Sequence, residues 1–256
     1  MSDDDPYTRL AAVYDEIVVD PCYDRWAAFL HDAWATDGLG VRTVLDVACG
    51  TGLLATELTH LGYRVTGVDS SVAMLSRARG LLGPEVVLVE ATLPDLPVEG
   101  LFDAAVSTFD GLNYLTPTDF RSTLVAVGHR VRAGGWFVFD LHTDAMMQFT
   151  AANPVIEGEA QGQLFTIASV VDTLARSCET RIDVTRTIDG DQFTERHRQY
   201  FFADGDIRDA ATDAGFEVVS ITDEYTDEPA AAQTLRATWV CRRSPDRALV
   251  AADRMG

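Results

Sequence analysis

Apolar positions along this chain follow two periods in turn, and the switches between them mark its elements. Over residues 22–36, Tyr23, Trp26, Ala27, Leu30, Ala33 and Trp34 recur on one helical face, which predicts an amphipathic helix. The run Asp37-Gly38-Leu39-Gly40 ends it. Residues 43–47 then form a short β-branched apolar run, as a strand buried in a parallel sheet requires. Helical period returns over 51–60, with Leu54, Leu58 and Leu61 on one face. Residues 63–68 predict a second strand and 72–82 a further helix, capped by Ser70 or Ser71. Residues 86–89 and 102–107 predict the third and fourth strands.

Thr116-Pro117-Thr118-Asp119 reads as a helix start with proline at the first helical position. Phe120, Leu124, Val127 and Val131 give that helix an apolar face; Gly134-Gly135 would break it before a fifth strand at 136–141. Beyond 141 the segments become longer, less apolar and alternating. Residues 164–173, 180–188 and 192–202 predict antiparallel strands, with Asp189-Gly190 as a hairpin turn. A helix at 205–214, ended by Gly215, precedes two last strands at 216–222 and 235–241, antiparallel at the sheet edge. The expected fold class is α/β: a Rossmann-like, doubly wound, mostly parallel sheet with an antiparallel β extension. The expected division is a helical cap over 1–40, a core over 41–152 and 204–243, the extension over 153–203 and a flexible tail over 244–256.

Composition narrows the chemistry. The 256 residues carry 40 acidic and 20 basic side chains, a net charge of −20, and every basic one is arginine. Without lysine there is no Schiff base, no pyridoxal phosphate anchor and no phosphate-gripping Walker lysine. So acidic a chain is a poor partner for nucleic acid or an anionic membrane. The acidic start, Met1-Ser2-Asp3-Asp4-Asp5-Pro6, lacks an apolar signal core, and no apolar run approaches the roughly 20 residues that span a bilayer. Four dispersed cysteines suggest reduced thiols and a cytoplasmic protein, and five scattered histidines indicate no metal site.

The most informative stretch is Val44-Leu45-Asp46-Val47-Ala48-Cys49-Gly50-Thr51-Gly52. A strand carries an acid near its end, turns through small residues that let backbone approach a ligand, and opens a helix whose first N–H groups are free. A dinucleotide fingerprint would need a third glycine where Ala55 stands, and the acid before the turn would repel a pyrophosphate. Asp69 ends the second strand, where doubly wound folds place an acid on a ribose diol. Together these residues point to an adenosine-type ligand with a positive charge beyond the ribose. S-adenosylmethionine has that form.

Here the chain resembles the class I S-adenosylmethionine-dependent methyltransferases, small-molecule type, over about residues 7–141. V-L-D-V-A-C-G-T-G matches the family's first motif and V-T-G-V-D-S-S its second. F-D-A-A-V-S-T-F, ending at Phe109, matches the fourth-strand motif, and V-R-A-G-G-W-F-V-F-D the fifth-strand one. The resemblance implies that Asp46, Ala48, Gly50 and Gly52 surround the methionine part of the cofactor. It implies that Asp69 holds the ribose, with Ser70 and Met74 beside the adenine. An acid usual in the family after the third strand falls on Thr92 here, so Thr92, Leu93 and backbone groups serve the adenine, or Glu90 shifts in. The N-terminal Y-T-R-L-A-A-V-Y-D and Y-D-R-W nominate Tyr14, Tyr23 and Trp26 as a cover over the cofactor; for the two tryptophans Trp26 and Trp34 the plainer role is core packing.

His142, at the carboxyl end of the fifth strand, is the expected catalytic base, with pocket lining or helix capping as its plainer roles. Asn113-Tyr114 either line the substrate pocket or make the turn before Pro117. Glu195, His197 and Gln199 share one strand face, and Arg198 and Tyr200 the other; one face roofs a substrate, or the sheet is solvated or forms a homodimer. The expected reaction is methyl transfer to an N, O or C nucleophile of a small-molecule acceptor. The alternatives are a non-catalytic S-adenosylmethionine-binding protein and, against the glycine pattern, a nicotinamide oxidoreductase.

Overall fold

The computed structural model describes residues 6–17, 22–35, 38 and 40–245. Asp37 and Leu39 of the expected turn, and the expected tail from residue 246 onward, lie outside the described residues. One sheet has seven strands: β1 (Thr43–Val47), β2 (Arg64–Asp69), β3 (Val87–Glu90), β4 (Phe102–Ser107), β5 (Val131–His142), β10 (Phe216–Asp223) and β11 (Arg236–Arg243). Its spatial order is β10-β11-β5-β4-β1-β2-β3. Strands β1 to β5 pair in parallel, and β11 runs antiparallel between β5 and β10. The winding reverses between β1 and β4, the place where open α/β sheets bind ligands at their carboxyl ends.

The apolar runs are explained by helices on both faces of this sheet. Along β5 the side chains alternate, so Phe137 and Phe139 enter one core and Trp136 and Val138 the other. The first core includes Phe120, Leu124 and Val127 of α5 (Pro117–Arg130) and Ile207, Ala210 and Ala211 of α7 (Asp204–Asp213). The second includes Trp26, Leu30 and Trp34 of α2 (Tyr23–Ala35) and Leu54, Ala55 and Leu58 of α3 (Leu53–His60). Truncating a ring such as Phe137, which is fully buried, would cost about 3–5 kcal/mol. Caps fix the helix starts. Ser71, not Ser70, accepts from the Met74 N–H to open α4 (Val72–Leu82), and Thr116 accepts from Asp119 N–H ahead of Pro117.

The second sheet is antiparallel, in the order β6 (Val155–Ala160), β7 (Gln163–Asp172), β8 (Ser177–Arg186), β9 (Gln192–Tyr200). The turn at Asp189-Gly190 joins the last two, with Gly190 at φ +72°. Three features depart from the sequence expectation. Helix α5 ends at Arg130, and the glycine pair lies inside β5. Gly135 passes so close to β4 that a Cβ there would sit 2.6 Å from the Asp103 carbonyl oxygen, so this glycine marks a close backbone approach rather than a helix stop. Strand β6 and α6 (Asp144–Ala152) were not expected: most of β6 is exposed and only Met147 of α6 is buried, so neither prints a strong period. The N-terminal 14–17 turn, α1 (Tyr14–Ile17), is too short to print one.

Candidate active site

The carboxyl ends of β1, β2 and β4 open into a cavity of about 780 Å³, within the range of about 300–1,000 Å³ typical of small-ligand sites. The turn after β1 is built from left-handed residues: Ala48 at φ +59°, Gly50 at +54° and Gly52 at +80°. Ala48 tolerates this conformation at a cost, which concentrates strain at the cavity wall. At Gly52 the left-handed backbone favours glycine, and a Cβ there would also crowd Ala78 Cβ at 3.2 Å and Leu82 Cδ1 at 2.7 Å, where α3 starts against α4.

Asp69 ties this turn to the next one. Its Oδ2 accepts the Gly50 N–H at 2.8 Å and its Oδ1 accepts the Ser71 N–H at 2.8 Å. Burial raises its pKa, while these backbone donors act in the opposite direction. Asp46 is buried near the end of β1, and its Oδ2 has no hydrogen-bond partner among the described residues. Burial, with the charge of Asp69 adding to it, pushes Asp46 up to about 8. Asp46 lies behind the turn rather than on the cavity lining, so when ionised it adds negative potential there, which suits a cofactor with positive charge.

A third buried acid shapes the wall from behind. Asp140 of β5 accepts the N–H groups of Phe109 at 2.7 Å and Asp110 at 2.5 Å, holding both residues in the left-handed region at φ +59° and +53°. Arg236 lies beside this loop, 3.6 Å from Asp110 Oδ1, paired with Glu224, and 4.6 Å from the Phe109 ring centroid.

Of the residues nominated from the sequence, Tyr14, Ala48, Gly50, Asp69, Ser70, Met74, Thr92, Leu93 and Phe109 line the cavity, as does Glu90. Asp46, Gly52, Trp26 and His142 do not. Trp26 packs in the core, stacked on Tyr225 at 4.9 Å and 5.7 Å from Phe109. His142 stands behind the Asp110 loop, with Nε2 3.6 Å from Asp110 Oδ1 and its ring near Phe201. Its backbone N–H donates to Asn113 Oδ1, and Thr143, not His142, caps α6.

The cavity has a roof that the motifs do not contain. Residues 7–17 run beneath the antiparallel sheet, where Leu10 and Val13 pack on Val184 with Phe165, Ile182 and Phe193. Glu195 of β9 fastens them: it accepts the N–H groups of Tyr7, Arg9 and Leu10 at 2.6–2.7 Å. Tyr7, Tyr23 and Tyr114 join Tyr14 and Phe109 on the lining, and Arg196, Arg198 and Tyr200 reach it from β9. Tyr7 carried one legible signal, its place in the N-terminal Y-T-R-L motif. Glu195 and His197 are buried, on the opposite strand face from the arginines. Among the described residues, no three His, Cys, Asp or Glu side chains are grouped to hold a metal ion.

Fold and cavity together define a class: a doubly wound α/β protein with a small-ligand cavity at the β1–β4 switch point. Residues 44–135 match the family described as a methyltransferase domain. A provisionally named methyltransferase of Geobacillus sp. (strain WCH70) is 28% identical over 245 residues, covering 93% of this chain and 99% of the relative. The cypemycin N-terminal methyltransferase of Streptomyces sp. is 26% identical over 246 residues, covering 91% and 98%. The fold is shared with an S-adenosylmethionine-dependent methyltransferase from Clostridium acetobutylicum ATCC 824, at a TM-score of 0.81 and 22% identity, covering 94% of this chain and 100% of that one. The chain thus carries a methyltransferase domain over residues 44–135, is similar along nearly its whole length to methyltransferases, and shares its fold with S-adenosylmethionine-dependent ones.

Proposed function

We propose that the enzyme transfers the cofactor's methyl group to a nucleophilic N, O or C of a small-molecule acceptor by in-line displacement. In this reading Asp69 accepts from the ribose hydroxyls, exchanging backbone donors for them, and Ser70, Met74, Thr92 and Leu93 bracket the adenine. Ala48 and Gly50 border the methionine part with Tyr14 and Phe109, and Asp46 and Gly52 support that turn from behind the lining. The bound cofactor supplies an electrophilic methyl on a sulfonium that leaves as a neutral thioether. The protein's work is then to align the attacking lone pair and exclude water, and positioning of this kind can lower a barrier by about 7–11 kcal/mol. The antiparallel sheet and the 7–17 segment cover the acceptor.

The observation that carries this reading is Asp69, which sits on the cavity lining with both oxygens aimed at the turns around it. Hydrogen bonds to a charged group are worth about 1.5–3 kcal/mol each. Calorimetry with S-adenosylmethionine should therefore show Asp69→Ala weakened roughly a hundredfold. Unchanged affinity would remove Asp69 from the site. Transfer of radiolabelled methyl to a panel of amines, phenols and carboxylates tests the acceptor class. The cypemycin relative, which by its name methylates an N-terminus, puts amines first in that panel.

A further inference from the structure

A chain of four side chains leads from the cavity lining into the protein. Tyr7 Oη lies 2.6 Å from Tyr114 Oη, Tyr114 Oη lies 2.8 Å from His197 Nδ1, and His197 Nε2 lies 3.1 Å from Glu195 Oε2. Both tyrosines line the cavity, whereas His197 and Glu195 are 4% and 1% exposed and reach it only through them.

The hydrogen positions follow from the far end. Burial alone would raise the Glu195 carboxyl, but the bond from His197 and the three backbone N–H donors hold it below its ordinary value. An ionised carboxylate only accepts, so His197 Nε2 donates to it. A neutral imidazole with Nε2–H leaves Nδ1 as an acceptor, so Tyr114 donates to Nδ1. The Tyr114 oxygen in turn accepts from Tyr7. Every hydrogen in the chain points inward, and the free lone pairs of Tyr7 Oη remain for a group in the cavity. Burial pushes both phenols well above their ordinary values, so they conduct as hydroxyls and do not ionise on their own.

We propose that this chain removes the acceptor's proton, with His197 as its terminus and Tyr7 as the group that touches the acceptor. The inference rests on the reading that an N–H or O–H acceptor binds beside the cofactor under the roof. When the acceptor atom gains the methyl, it gives up one proton to Tyr7 Oη. Tyr7 passes its own proton to Tyr114, and Tyr114 passes its proton to His197 Nδ1. His197 becomes an imidazolium held against the Glu195 carboxylate, and the same route in reverse returns the proton to water after product leaves. Tyr7 is the catalytic residue in this scheme; Tyr114, His197 and Glu195 act through it. Beside His197 stand the Tyr7 ring at 4.9 Å, with Tyr14 beyond it, and on the same strand face Gln199, whose Nε2 donates to Asp110 at 2.6 Å. From β8 the neighbours on the same face are Cys178, Thr180 and Ile182.

The test needs no acceptor. Protein labelled with 15N-histidine and saturated with S-adenosylhomocysteine is titrated by NMR from pH 5 to 9, with His197→Gln assigning the ring. The expected spectrum near neutral pH shows His197 as the Nε2–H form. Glu195→Gln, whose amide can donate as well as accept, loosens the tautomer and should raise the Nδ1–H share of the ring. Tyr114→Phe and Tyr7→Phe keep the ring packing and the backbone bonds to Glu195, so they report even if the glutamine variant fails to fold. Each should slow proton exchange between the ring and solvent at least tenfold. An Nδ1–H form in the wild type, or unchanged exchange in both phenylalanine variants, overturns the relay. Calorimetric titration of S-adenosylhomocysteine into the same samples separates the two readings: no binding would sink the cofactor site, while binding with the wrong tautomer sinks the relay alone.

Discussion

The two ends of the cavity treat a buried carboxylate in opposite ways. At the mouth of the parallel sheet, Asp46, Asp69 and Asp140 are all pushed up, with burial the largest cause in each. Under the antiparallel sheet, Glu195 is also buried and yet is held down. Between Asp46 and Glu195 the difference lies in donors. Asp46 has an oxygen with no hydrogen-bond partner among the described residues, whereas Glu195 receives three backbone N–H groups and an imidazole. An acid left short of donors is prepared for a ligand that brings positive charge. An acid already satisfied serves as a fixed negative charge that orients its neighbours. Of these acids Asp69 lies on the cavity lining, while Asp46, Asp140 and Glu195 stand behind it.

The largest expected effect separates these two roles kinetically. General-base assistance is worth about 10²–10⁴ in rate. With an amine or phenol acceptor in hand, Tyr7→Phe and His197→Gln should lower the single-turnover methyl-transfer rate by about that factor and change cofactor affinity less than threefold. Asp69→Ala should do the reverse, losing roughly a hundredfold in affinity. Rapid-quench kinetics beside calorimetry on the same variants checks the contrast, and a matched loss in both quantities for all three variants would erase it.

The two regions also differ in how much of them could be read from the chain. The run from Val44 to Asp69 is local: strand, turn, helix and second strand follow one another, so the acids and glycines announce themselves in order. The roof is assembled from residues far apart. Tyr7 and Glu195 are separated by 188 positions, and Tyr114 and His197 by 83. Alternation placed Glu195 and His197 on one face of a strand but could not say what that face would meet. Strand β6 and helix α6 were invisible for a simpler reason: elements that bury almost nothing leave little periodic trace. The glycine pair before Trp136 misled because the same residue type can stop a helix or let two strands approach, and only the neighbouring backbone decides which.

A pH titration of stability sharpens the comparison with a smaller effect. Asp46 has a folded pKa of about 8 against an unfolded value of about 3.9, so the native state keeps a proton that the unfolded chain has lost. Its contribution therefore declines as pH rises from about 4 to about 8, by at most about 1.4 kcal/mol per unit. Glu195 has the opposite sign. Its contribution is present above the ordinary glutamate value and is lost as pH falls below it. Denaturant unfolding at pH 3, 5, 7 and 9 should show Asp46→Asn flattening the decline between about pH 4 and pH 8. Glu195→Gln should remove part of the acid-side loss. The same proton links to ligand charge: the preference for S-adenosylmethionine over its neutral-sulfur product should grow with pH up to about 8, by at most tenfold per unit. A ratio independent of pH would detach Asp46 from the sulfonium.

The smallest effect is expected at the histidine that the sequence made most prominent. His142 ends a core strand of the parallel sheet, where ligands of such folds bind, but its contacts lead away from the cavity. It faces Asp110, whose other oxygen accepts from Gln199, and its ring lies against Phe201. Among the described residues no hydroxyl joins it to the lining, in contrast to His197, which has two tyrosine oxygens in line. His142→Gln keeps a hydrogen-bonding group near Asp110 and should leave both cofactor affinity and transfer rate within about threefold of wild type, a margin below the 10²–10⁴ range of a lost general base. A hundredfold loss of rate in His142→Gln, with Tyr7→Phe unaffected, would move the base back to the parallel sheet and leave the Glu195 network as a clasp for the N-terminal segment alone.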